Sequence, residues 1–453
     1  VVINMKLMKF KYTLPEADFI VFKGRDGRVY AKDGETGQIV AEDDKDLGVV
    51  LQEVVNRIPD AGAGVIYIKP GVYTMYTGVR AAKAGLAIIG GYTWDVGGGV
   101  NDVQYGVTAG TVIDLVTDGI KYFDFGYEDP EWPTRGMRVV VMGLGAYAGD
   151  PDLYATHHTD SIFIYLRNRV RQSLFRQLFI VNTGYGIVGE KTMTESKSLQ
   201  DVYFENLAFE HQHYKGIEIR SGEYNIVFQN VYGGWNKVDA PMFHIKHALS
   251  VRVDNLWILS GTYRALALDY CHRVFVKNTI IDSVRGANAI ATADSSYVMV
   301  DGVIIDTADN YSPYYLFAIW NSPNLQIRNV YARYYNNIMY LEGTMPRMFN
   351  CRFYHTTQKV EYRSENSGTA TIVGDGSTTV FEVDVPHGLV SDKVSAKVTT
   401  TRPTTAPPSY LYAYLVDNDN DGFMETLRIT IKFDTPPAEG EQVNIYWSAE
   451  VVG

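Results

Sequence analysis

The stretch that decides the fold is Phe204-Glu205-Asn206-Leu207-Ala208-Phe209, because its pattern returns along the chain. It comes back as Phe228-Gln229-Asn230-Val231, as Val253-Asp254-Asn255-Leu256-Trp257-Ile258 and as Val276-Lys277-Asn278-Thr279-Ile280-Ile281. Val300-Asp301-Gly302-Val303-Ile304-Ile305, Ile327-Arg328-Asn329-Val330-Tyr331-Ala332 and Met348-Phe349-Asn350-Cys351-Arg352-Phe353 continue it, and a weaker copy centres on Gln177. The anchors stand at 177, 206, 230, 255, 278, 302, 329 and 350. Apolar residues two before, one after and three after the anchor cannot all face inward on one straight strand, whose side chains alternate. The phase must slip at the anchor. A left-handed backbone there produces the slip, and Asn tolerates that conformation best among residues with a side chain, with Gly302 as the natural substitute.

A second β-rich run precedes each anchor by about ten residues: Ile217/Ile219, Phe243/Ile245, Leu266/Leu268, Ile290/Thr292 and Leu316. Two or three strands per repeat, with a bend at Asn, predict a right-handed parallel β-helix. Propeller blades need longer repeats of roughly 40–50 residues, and leucine-rich arrays need a leucine lattice that is absent here. Stacked Asn amides are expected to bond from rung to rung. The position before the anchor points outward and carries Glu205, Gln229, Asp254, Lys277, Asp301 and Arg328, a ladder that reads as structural.

Outside the repeats the texture changes. Gly24-Arg25-Asp26-Gly27 and Asp33-Gly34-Glu35-Thr36-Gly37 are hairpin turns. Residues 44–59 predict a helix with Val49, Leu51, Val54, Val55 and Ile58 on one face, stopped by Pro59. Residues 368–453 read as a compact β-sandwich. The expected organisation is an N-terminal hairpin and capping helix over 1–60, a parallel β-helix over 61–366 and a β-sandwich over 367–453.

The 453 residues, 46% hydrophobic and 21% charged, exclude disorder as the dominant state. A net charge of −11 argues against nucleic-acid binding. No apolar run reaches the roughly 18 residues of a membrane span, so no membrane insertion is expected. Cys271 and Cys351 allow one bridge at most, which rules out a disulfide scaffold. The start, Val1-Val2-Ile3-Asn4-Met5, shows no leader pattern.

The unit Val49–Ile58 followed by Gly64-Val65-Ile66-Tyr67-Ile68-Lys69-Pro70-Gly71-Val72-Tyr73 resembles the entry to pectate-lyase-like β-helix proteins. The Asn ladder resembles the same superfamily. Gly374-Asp375-Gly376, Pro386-His387-Gly388-Leu389 and Ile445-Tyr446-Trp447-Ser448 are similar to C-terminal modules of viral tail fibres and spikes. The resemblance implies a tailspike-type homotrimer on a virion surface, in contact with other tail proteins and with host glycan. It also admits a glycoside hydrolase or polysaccharide lyase.

Several residues are candidates for function. Asp282 and Asp306 occupy the fourth position after their anchors on successive rungs, about 5 Å apart, the spacing of a retaining glycosidase pair. Arg285 follows and suits a uronate carboxylate. The same aspartates also read as strand-end turn residues. Glu210-His211-Gln212-His213 is the densest polar cluster, and His211 and His213 suit proton transfer, a weak metal site or plain surface. Tyr232, Trp257 and Tyr331, with Ile280 and Ile304 in the same outward column and Trp235 nearby, form an aromatic and apolar stripe. It suits either glycan stacking or a contact between subunits. Asp417, Asp419 and Asp421 before Gly422 are hard oxygen ligands at alternate positions, suited to Ca²⁺. Arg428 stands where an EF-hand has its Glu, so the alternatives are a calcium-bound hairpin tip and an acidic turn. No cofactor is required by any of these readings.

Overall fold

A computed structural model describes residues 16–451 apart from 92–109, 128–135, 150–157, 192–198, 235, 237, 239, 260–263, 283, 285–287, 307–314, 334, 336, 343–345, 355–358, 363–364, 388, 390–393, 402–406 and 418–425. The chain forms two compact units, Val1–Ala267 and Leu268–Gly453.

The first unit opens with an antiparallel meander of strands Phe19–Lys23, Val29–Asp33 and Ile39–Asp43. Gly27 and Gly37 take φ of 87° and 72° at its turns, where a side chain would be strained. Helix Leu47–Arg57 follows. Asp46 caps it, accepting from the Gly48 amide at 2.8 Å, and also holds the Tyr76 amide at 3.0 Å and the Thr77 hydroxyl at 2.9 Å. One side chain thus ties the helix start to the first coil. The buried face is Leu47, Val50, Leu51, Val54, Val55 and Ile58. Val49, expected on it, is only half-buried, because the helix starts at Leu47 and its apolar stripe runs through Val50.

The coils are a right-handed parallel β-helix. Each alternates a long bent strand with a short one. The long strands Arg138–Ala148, Arg171–Val181, Leu199–Glu210, Gly222–Gly234 and Val251–Ile258 stack in parallel. The short strands Lys121–Phe125, Ile162–Leu166, Tyr185–Gly189, Lys215–Ile219 and Pro241–Lys246 form a second parallel stack. The bend falls at the predicted anchors: Gln177, Asn206, Asn230 and Asn255 take φ of 54°, 54°, 54° and 58°. Gly143, at φ 72°, adds an earlier anchor that has no Asn to announce it. Asn230 donates to the Asn206 amide oxygen at 2.9 Å, and Asn255 donates to that of Asn230 at 2.7 Å. Two residues before Gln177, Asn206 and Asn230 the core is aromatic. Phe175, Phe204 and Phe228 stack at 5.4 and 4.9 Å between ring centres.

The second unit begins with coils of the same kind. Long strands His272–Asp282 and Ser296–Asp306 pair in parallel, followed by the shorter pieces Gln326–Arg328, Tyr331–Arg333, Arg347–Phe349 and Cys351–Tyr354. Asn278, Gly302, Asn329 and Asn350 again sit at positive φ. Gly302 has no amide to offer, so Asn329 donates to Asp301 at 2.7 Å instead, while Asn350 donates to Asn329 at 2.8 Å. On the short-strand side Leu316 lies buried in strand Tyr315–Trp320, where Ile290 aligns with Phe317. Cys271 and Cys351 are both buried thiols.

The unit ends in a β-sandwich. One sheet is Glu365–Val373, Gln442–Val451 and Val394–Thr400; the other is Val380–Pro386, Thr426–Phe433 and Pro408–Val416. Ile372, Leu427, Ile429, Ile431, Phe433, Val443, Ile445 and Trp447 fill the space between them. Among the described residues no helix is long and apolar enough to cross a membrane.

Candidate functional site

On a parallel stack, residues in register form columns about 4.8 Å apart on one face. In the first unit the outward column two after the anchor runs through Phe179, Ala208, Tyr232 and Trp257. Phe179, Val181 and Ala208 are buried and pack with Tyr147 and Tyr232 in a small apolar cluster outside the main core. The column then opens. Tyr232 is half-buried, and Trp257 is 44% exposed with its ring edge-on to Tyr232 at 6.1 Å and 82°. An indole carried on a rigid strand, with its surface open to solvent, is a stacking platform.

Glu210 ends the neighbouring rung, in register with Val181 on one side and Gly234 on the other. Glycine places no side chain over it. Glu210 is 3% exposed, and its Oε2 makes no hydrogen bond among the described residues. Burial raises its carboxyl to about 7, against the opposing pull of a hydrogen bond with the Tyr232 phenol. Burial, together with that carboxylate, pushes the phenol well above its ordinary range. A buried carboxyl of raised pKa, a phenol and an exposed indole therefore lie on three consecutive rungs.

The corner beside them is also polar. The His158 amide donates to the Asn182 carbonyl at 3.0 Å, and the Asn182 amide to the Glu210 carbonyl at 3.1 Å. His158 Nδ1 and Asn182 Oδ1 are buried without hydrogen bonds among the described residues. Burial lowers the His158 imidazole and raises the Asp114 carboxyl. Asp114 and Glu210 are separated by the rungs of Tyr147 and Val181. Three steps of the stack make about 14 Å, beyond the roughly 9.5 Å limit of an inverting carboxylate pair.

His211 and His213 stand on either side of a corner of the coil. His211 turns the corner at φ 52°, buried, with its amide on the Gly234 carbonyl at 3.1 Å. His213 lies beyond the corner, edge-on to Tyr214 at 4.5 Å. Gln212 between them is fully buried, and its amide nitrogen donates to the Ile180 and Glu210 carbonyls at 2.8 and 2.9 Å. The strand ends at Glu210, so strand alternation does not set the sides of the two rings. Among the described residues no group of three His, Cys, Asp or Glu side chains is placed to hold a metal.

In the second unit Asp282 and Asp306 are in register on adjacent rungs. Arg333 occupies the next position and binds both Asp306 oxygens, Nε at 2.8 Å to Oδ1 and the second nitrogen to Oδ2. The apolar column beside them is open: Ile280, Ile304 and Tyr331 are 37%, 44% and 37% exposed. Arg285, Trp235, Asp419 and Asp421 lie outside the described residues; Asp417 directly follows strand Pro408–Val416.

Sequence reading missed the outer face of the short strands in the first unit. Glu218 is clamped by Lys215 at 2.5 Å and Arg220 at 2.9 Å, and Arg220 also reaches Glu190 at 2.6 Å. Lys215 Nζ sits 3.1 Å from His244 Nδ1. Burial works to raise Glu218, but its two cations outweigh it and hold the carboxyl low. Each of these charges has an opposite partner, so the network reads as a brace for the rungs. No sequence period links Glu190, Glu218 and His244, which is why only the register brings them together.

No protein-family model matches the chain, and no curated protein matches it in sequence. Solved structures are similar to it in coil. The bacteriophage CBA120 tailspike protein 2 enzymatically active domain is 8% identical at a TM-score of 0.47, over 90% of this chain and 71% of that one. The phiAB6 tailspike, in complex with three-repeated oligosaccharides of Acinetobacter baumannii surface polysaccharide, is 11% identical at 0.40, over 89% and 84%. The A-module of the Azotobacter vinelandii mannuronan C-5 epimerase AlgE6 is 15% identical at 0.37, over 69% and 96%.

Proposed function

We propose that this chain is a tailspike-like protein of a virion surface that recognises host-cell glycan, and that it works as a homotrimer among other tail proteins. The observation that carries the glycan reading is the exposed Trp257 ring beside Tyr232 and the buried, protonatable Glu210. Apolar sugar faces stack on such a ring, and the buried Glu210 carboxyl holds the Tyr232 phenol beside it through their hydrogen bond. The exposed column of Ile280, Ile304 and Tyr331 binds sugars poorly and suits contact between copies of the chain.

Binding is favoured over cleavage. Glu210 has a raised carboxyl, but Asp114 on the same column stands about 14 Å from it, and Asp306 is committed to Arg333. The hydrolase or lyase reading rests on Asp282, Asp306 and Arg285 and requires that the ion pair open on substrate. The test is to incubate the protein with a panel of purified bacterial surface polysaccharides. Retention, release of reducing ends and sedimentation are measured for wild type and for Asp282→Asn/Asp306→Asn. Retention by a trimer without release supports the proposal. Release that the double variant abolishes establishes the enzyme reading in its place.

A further inference from the structure

The β-sandwich carries a second place suited to sugar, independent of the strip on the coils. In its first sheet Gln442–Val451 is the central strand, flanked by Glu365–Val373 and Val394–Thr400. Val443, Ile445, Trp447 and Ala449 point inward to the core, so Asn444, Tyr446, Ser448 and Glu450 form the outer row. Register sets Ser367 and Lys397 on either side of Ser448, and Thr369 and Thr399 on either side of Tyr446.

These outer rows differ in how they are satisfied. Around Asn444 the polar groups bond to one another. The Thr371 hydroxyl donates to Asn444 Oδ1 at 2.8 Å, and the Asn444 amide donates to the Thr401 hydroxyl at 2.9 Å. Toward the other end a cleft of about 500 Å³ is lined by Asn366, Ser367, Ser395, Lys397, Ser448 and Glu450. Asn366 is anchored, donating to the His387 carbonyl at 2.9 Å. Among the described residues no hydrogen bond or ion pair engages the side chains of Ser367, Ser395, Lys397, Ser448 or Glu450. Tyr446, 48% exposed, is the next outward residue of the central strand, two before Ser448.

We infer that this cleft binds one pyranose unit of a neutral glycan, with Tyr446 as the stacking face. The groups match that ligand. Serine hydroxyls both donate and accept, as sugar hydroxyls do. Lys397 only donates and Glu450 only accepts, and their opposite charges leave the cleft without net demand for an ionic ligand. A peptide would instead seek unpaired backbone at a sheet edge, whereas these groups lie on the sheet's face.

The test is ligand-observed saturation-transfer NMR on the whole chain with methyl glucoside, methyl galactoside, methyl mannoside and N-acetylglucosamine. Saturation of at least one sugar is expected, weakened about tenfold by Tyr446→Ala and clearly reduced by Lys397→Ala. Both residues are exposed, so the variants should keep the wild-type melting temperature. The comparison is made in a Trp257→Ala background, where the strip on the coils contributes no stacking and a signal that remains and falls with Tyr446→Ala belongs to this cleft. No saturation in wild type overturns the inference. So does a signal that ignores Tyr446→Ala and Lys397→Ala, or one that Trp257→Ala abolishes.

Discussion

Arg333 closes its guanidinium over both carboxylate oxygens of Asp306, one rung away on the same outward column. The pairing follows from the stack: parallel register puts the fourth residue after each anchor directly beside its counterpart. It gives Asp306, one member of the sequence pair, a structural partner. Both members of the ion pair are substantially exposed, at 44% and 38%, so its worth is small. Arg333→Ala should cost no more than about 1 kcal/mol by denaturant titration. A loss of several kcal/mol would mean that the pair is shielded in an assembly.

Asn230 both donates and accepts in its ladder while held at φ 54°. Asn230→Ala should lose two amide bonds and add left-handed strain, about 2–4 kcal/mol in all. Asn230→Gly should be milder than Ala, because glycine relieves the strain although it also loses the bonds. Equal losses in the two variants would show that the hydrogen bonds, not the backbone conformation, set the cost.

Phe204 is fully buried between Phe175 and Phe228. Phe204→Ala should destabilise the chain by about 3–5 kcal/mol, and Phe204→Leu by distinctly less. Unfolding rates measured alongside would show whether the aromatic stack resists opening of the coils.

Glu210 gives a pH signature. Its carboxyl is raised to about 7 from an ordinary 4.5. Below 4.5 both folded and unfolded chains hold this proton, so it contributes no difference. Between the two values the unfolded chain gives the proton up first, and stability falls as pH rises. Above about 7 the loss is complete, on the order of 3 kcal/mol. Glu210→Gln should remove that slope and be more stable than wild type at pH 8, by denaturation at a series of pH values. Parallel profiles for the two proteins would show that Glu210 reaches solvent.

The anchors were legible because one residue type, at one backbone conformation, recurs with apolar partners at fixed offsets. Gly143 escaped because a lone glycine is common in any β-rich stretch. The outward stripe was legible through Trp257 and Tyr232, since strand alternation fixes their face. The state of Glu210 was not. Its burial depends on Val181 and Gly234, brought beside it from adjacent coils. The sides of His211 and His213 were not legible, because the strand ends at Glu210 and His211 turns the chain in a left-handed conformation. The cleft beside Tyr446 was equally hidden, because its serines and Lys397 come from three strands separated by long intervals in sequence.

The most direct test is a calorimetric titration of a retained host surface polysaccharide into wild type and Trp257→Ala. The account predicts binding by wild type and a loss of about tenfold or more in affinity for the variant, at unchanged melting temperature and sedimentation. Equal affinity for the two proteins would contradict it and move glycan recognition off the Glu210–Tyr232–Trp257 strip.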